Sequence, residues 1–128
     1  MDQMEEGWSD SPILDTDIFD DMVLRMEEVA VEIVQLFLAE SPARMVILAK
    51  AREGGDIEGV LDVVHRFKSS SALLGGMRLS RLCGLIEIQL RKERDLAGLA
   101  ASLQMAEELL GPTLAAITSR WEMSSRKA

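Results

Sequence analysis

Two glycine pairs, Gly54-Gly55 and Gly75-Gly76, bracket a stretch whose apolar residues recur at the helical period, and this punctuation constrains the fold more than any other feature of the chain. At about 100° per residue, Val60, Val63, Phe67, Ser71 and Leu74 share one stripe of a helix capped by Asp56. The remaining segments repeat that pattern without strand-like alternation. Hydrophobic residues make up 48% of the chain but aromatics only 4%, with no Tyr, so the core must be built from aliphatic side chains that suit helices. Apolar-striped helices joined by short turns bury their stripes most economically as a bundle. The expected fold is all-α, an antiparallel four-helix bundle with a short accessory N-terminal helix.

Residues 1–14 read as a flexible acidic lead-in interrupted by Gly7, Ser9, Ser11 and Pro12, residues 15–123 as the bundle domain and 124–128 as a frayed end. A short helix capped by Asp15 or Thr16 runs to about Met26, with Ile18, Phe19, Met22 and Val23 inward. The next spans about Glu28 to Arg52. Pro42 interrupts it, leaving one kinked helix or two shorter ones. After the bracketed helix, Met77 to about Glu93 turns Leu79, Leu82, Cys83, Ile86 and Leu90 inward and Arg78, Arg81, Arg91, Lys92 and Arg94 outward. A last helix starts near Asp95, with Gly111-Pro112 as an expected bend.

A formal charge of −8 argues against nucleic acid, and an anionic membrane surface is disfavoured on the same ground. No apolar run approaches the roughly 20 residues that cross a bilayer. The single Cys83 has no intramolecular disulfide partner and sits among Leu82, Leu85 and Ile86 as a small core residue. With no secretory signal in the acidic N-terminus, a cytoplasmic monomer is expected.

His65, the only histidine, falls roughly opposite the apolar stripe and therefore faces solvent. Glu58, Leu61, Asp62, Lys68, Ser69 and Ala72 are its expected neighbours on that face. Ser69 at i+4 mimics part of a hydrolytic triad, yet one exposed helix offers neither an oxyanion hole nor a dry pocket. One His and one distant Cys do not make a zinc site, and no phosphate-binding glycine loop is present, so no metal or cofactor of the chain's own is expected. The imidazole itself remains: at neutral pH it keeps a ring-nitrogen lone pair able to attack an electrophile. Lys68 would supply a positive charge one turn away, and Ser69 is small enough to admit a partner.

The run His65-x-Phe67-Lys68-Ser69-Ser70-Ser71-x-x-Leu74-Gly75 resembles the signature of histidine-containing phosphotransfer (HPt) domains. Phe37-Leu38-x-x-Ser41-Pro42-x-Arg44, the Gly55-Asp56 turn and Leu79-x-x-Leu82-Cys83-x-x-Ile86-Glu87 extend the resemblance over about residues 13–120. The resemblance implies a phosphocarrier without kinase activity of its own. His65 would be the phosphoacceptor, Lys68 the electrostatic partner of the phosphoryl group, Gly75 a packing glycine, and Glu87 and Arg91 polar neighbours, with Glu87 orienting the ring through Nδ1. Ser69 stands where the family usually has glycine.

Implied partners are response-regulator receiver domains, which would bring Mg²⁺, and a hybrid sensor histidine kinase. Ile57, Leu61 and Ala72, with Ile18 or Met22, would form the docking patch around Asp62, Ser69 and the histidine. A non-catalytic helical adaptor or inhibitor that docks on a kinase or receiver is the alternative reading. Met1 and the loose lead-in favour a free-standing protein over a module of a larger kinase.

Overall fold

The computed structural model describes residues 7–127, with side-chain surroundings described to Ser124. Helices α1 (Thr16–Met26), α2 (Val29–Glu53), α3 (Ile57–Leu74), α4 (Met77–Glu93) and α5 (Ala100–Lys127) follow in order, with a 3₁₀ turn at Ala97–Leu99 before the last. No strand occurs among the described residues. Consecutive long helices pack on one another, and α2 also contacts α5, closing a four-helix bundle. The connecting turns are too short for anything but antiparallel neighbours. Helix α1 lies against α2 and α3 as the accessory helix.

Local chemistry explains the boundaries. Asp15 Oδ1 accepts from the amides of Asp17 and Ile18 at 3.1 and 3.2 Å, starting α1. Asp56 Oδ1 accepts from Gly59 N at 3.0 Å, starting α3. Gly75 ends α3 with φ +85°, a left-handed conformation in which a side chain is strained. A Cβ there would also stand 2.5 Å from Asp15 O, so this glycine allows the entry to α1 to close over the end of α3, where Asp15 N donates to Gly75 O at 2.7 Å.

Several boundaries differ from expectation. Helix α2 runs unbroken through Pro42, which excludes the two-helix alternative; Pro42 itself is exposed while Ser41 is buried. Helix α5 likewise continues through Pro112 and on to Lys127, beyond the point expected to fray. It starts later than expected because Arg94, at φ 55°, ends α4 and Asp95 Oδ1 accepts from Gly98 N at 3.2 Å, spending the intervening residues on the 3₁₀ turn.

The lead-in needs the largest correction. Its first six residues lie outside the described part, but from Gly7 onward it is packed: residues 7–9 are helical, Trp8 lies against the core and Ser11 is buried. Two arginines of α4 hold it. Arg78 Nε donates to Ser11 O at 2.8 Å and Arg81 Nη1 to Ser11 Oγ at 2.6 Å, while Arg78 N donates to Pro12 O at 3.0 Å.

The core joins Phe19 and Met22 of α1 to Val34 and Leu48 of α2, Phe67 of α3, Leu82 and Ile86 of α4 and Leu103 of α5. Cys83 is buried in it, and burial pushes its thiol pKa up to about 12, with the Glu87 charge adding to the rise. The thiol is thus a packing group. No helix among the described residues is long and apolar enough to cross a membrane.

Candidate functional site

Helices α3 and α4 form an antiparallel pair about the Gly75-Gly76 turn, and their register brings His65 beside Glu87. The imidazole is 56% exposed, whereas the Glu87 side chain is 6% exposed, so a solvent-facing ring is tied to a buried carboxylate. His65 Nδ1 lies 2.9 Å from Glu87 Oε2. Two cations share that carboxylate: Lys68 Nζ is 2.9 Å from Oε1 and Arg91 Nη2 is 2.9 Å from Oε2.

Burial alone would raise the Glu87 pKa, but the hydrogen bonds from Lys68, Arg91 and His65, with the Lys68 charge, outweigh it and lower the value from 4.5 to about 2. Glu87 is therefore ionised at neutral pH and can only accept hydrogen bonds. Nδ1 of a neutral His65 must then carry the proton, and the lone pair is left on Nε2, the nitrogen turned away from the carboxylate. The carboxylate fixes one tautomer and one ring orientation.

This linkage has a definite pH signature. Because the folded pKa lies below the ordinary value, ionised Glu87 contributes stability that is fully present above pH 4.5 and is lost as pH falls towards 2. The difference in unfolding free energy between wild type and Glu87→Gln should therefore shrink between about pH 5 and pH 2 in denaturant titrations. A difference constant over that range would mean that the carboxylate's partners do not stabilise its charge.

The other residues expected around the histidine divide into three groups. Ser69 is exposed one turn from His65, and Asp62 is exposed and pairs with Arg66 at 3.2 Å. Ile57 and Ala72 are half-buried, leaving part of each at the surface. Leu61 does not belong to the exposed patch: it is 3% exposed and joins the core, because α4 covers that flank of α3. It forms the floor of a polar depression bounded by Glu58, Asp62, His65 and Arg91. Met22 is likewise wholly buried and packs the bundle, while Ile18 is half-buried against the Gly75 turn.

Reading the sequence one segment at a time missed the Lys68–Glu87 ion pair and the folded lead-in beside it. Trp8 and Gly7 line a groove with Lys68, Ser80, Arg81, Gly84, Leu85 and Ile88. Ser80 Oγ donates to Lys68 O at 2.7 Å, tying the backbone of α3 to α4. No cluster of three or more His, Cys, Asp or Glu side chains suited to a metal occurs among the described residues.

Comparison with known proteins adds the following. The family model of the Hpt domain matches residues 32–120. The fold is similar to a crystal structure of histidine-containing phosphotransfer protein B (HptB) from Pseudomonas aeruginosa PAO1, at TM-score 0.76 and 22% identity, covering 87% of this chain and 96% of that one. It is also similar to the HPT domain from the Hpt sensor hybrid histidine kinase from Shewanella, at TM-score 0.74 and 19% identity, covering 87% and 95% of the two chains. No curated protein sequence matches the chain.

Proposed function

The chain belongs to the Hpt domain family, whose role is histidine phosphotransfer in two-component signalling, and from that premise we propose that His65 is the residue that carries the phosphoryl group. One observation carries the assignment: a solvent-facing imidazole has its Nδ1 held by an ionised, buried carboxylate, leaving Nε2 as an exposed nucleophile.

The donor is a phospho-aspartate on a receiver domain. The Nε2 lone pair attacks phosphorus, the N–P bond forms, the acyl O–P bond breaks, and the aspartate leaves as its carboxylate. The ring becomes a phosphoimidazolium whose Nδ1 keeps its proton and goes on donating it to Glu87, so no proton has to move and the new positive charge faces a carboxylate. Transfer to a second receiver reverses these steps. The receiver brings the Mg²⁺, and this chain contributes a positioned nucleophile and a docking face of Ile57, Ala72, Ser69 and Asp62. It carries the phosphoryl group in the cytoplasm without generating it from ATP, receiving it by way of a hybrid kinase or its receiver.

Lys68 is the cation for the phosphoryl oxygens. At rest it is held on Glu87 Oε1, and its side chain is 42% exposed, free to turn outward when a more highly charged acceptor arrives. Lys68→Ala should slow single-turnover transfer by the equivalent of about 1.5–3 kcal/mol, roughly 10- to 150-fold. The fold should survive, since Glu87 keeps Arg91 and His65 as partners. An unchanged rate with a normal helical spectrum would remove Lys68 from the mechanism.

The assignment is tested by incubating the protein with a labelled phospho-receiver. Label should appear in an acid-labile, base-stable linkage at His65. Acid-stable label, or label on another residue, would overturn it.

A further inference from the structure

Gly84 lies in the interior of α4, where a glycine gives up helix stability relative to alanine. No backbone requirement explains it, because Gly84 is not among the residues with positive φ. Core packing does not explain it either: a Cβ built there would meet only Lys68, at 3.1 Å from Cδ and 3.7 Å from Cγ. The missing side chain leaves a saddle on α4, and the stem of Lys68 crosses that saddle from α3 to reach Glu87 Oε1, one turn further along α4.

We propose that Gly84 is a positioning residue: its bare backbone seats the Lys68 stem and so sets the ammonium on the carboxylate that also orients His65. A side chain at this position would lift the stem by at least a few tenths of an ångström for alanine and further for leucine. Leucine has somewhere to go. Beside Gly84 opens a groove of about 430 Å³ lined by Trp8, Ser80, Arg81, Leu85 and Ile88, so a larger side chain displaces Lys68 without entering the core.

The inference rests on the phosphotransfer role of Lys68 for its consequence, but its geometric content can be read without any receiver. In Gly84→Leu, the Glu87 carboxyl, followed by carbon-13 NMR in the isolated protein, should lose the Lys68 hydrogen bond and titrate at higher pH than the wild-type value of about 2. Gly84→Ala should raise the melting temperature while shifting the titration in the same direction by less.

Transfer in Gly84→Leu should slow towards the rate of Lys68→Ala, and adding Gly84→Leu to Lys68→Ala should slow it no further. A titration unmoved in both variants would overturn the proposal. Equal slowing in the presence and absence of Lys68 would also overturn it, since leucine would then be obstructing the receiver directly. A shifted titration with an unchanged transfer rate keeps Gly84 as the seat of Lys68 and instead refutes the role of Lys68 in transfer.

Discussion

His65→Gln should transfer no detectable phosphate while binding its receiver within a few-fold of wild type, the widest separation of chemistry from docking that any single change here offers. Glutamine keeps a polar side chain of moderate size, and its amide N–H can donate to Glu87 in place of Nδ1, so the buried carboxylate keeps three donors rather than two. The amide nitrogen's lone pair is delocalised, however, and cannot attack phosphorus. Since the imidazole is more than half exposed, no packing is lost. Calorimetry with a receiver and single-turnover transfer measured on one preparation decide the matter. Residual label at His65→Gln would place the acceptor elsewhere, and a large loss of affinity would make the ring part of the docking surface as well as the nucleophile.

Much of this site is legible in the sequence, and the rest becomes so only through register. Periodicity places His65 opposite Phe67, and the glycine pairs fix where α3 begins and ends. Those are local facts. The contacts across to α4 depend on which residues face each other in the α3–α4 hairpin, and Gly76 is its centre: His65 and Glu87 are equidistant from it along the chain, as are Lys68 and Gly84, and Leu61 and Arg91. Folding the sequence about that glycine pairs the imidazole with its carboxylate, the lysine with its saddle and the leucine with the helix that covers it. Leu61 shows the cost of working from one helix alone: a residue on the histidine's own face is exposed in an isolated helix and buried once α4 is beside it.

The lead-in is harder to read because its order comes from elsewhere in the chain. Gly7, Ser11 and Pro12 carry only turn propensity, and the donors that organise them, Arg78 and Arg81, stand about 70 residues away. A pattern of outward arginines on α4 normally signals a solvated face. Here two of them bind backbone and hydroxyl oxygens of the lead-in, which seats Trp8 beside Lys68.

Phe67→Ala should cost about 3–5 kcal/mol, a large share of the roughly 5–15 kcal/mol available to a domain of this size. The ring is 1% exposed and meets Phe37 edge to face, with centroids 6.5 Å apart and planes at 87°. Removing it leaves a cavity in the core beside the Phe37 ring of α2. The denaturation midpoint should fall with the slope unchanged, as expected when stability changes and the unfolded ensemble does not. A loss below about 1 kcal/mol would mean that α2 and α3 repack around the gap. The consequence for transfer is indirect but specific. Phe67 and His65 are two residues apart on opposite sides of α3, so the packing that fixes one side of the helix fixes the direction in which the imidazole points on the other. Transfer per folded molecule should stay near wild type at low temperature and fall as local opening of α3 loosens the His65–Glu87 contact on warming, well before the Lys68→Ala protein, with its core intact, shows any such decline.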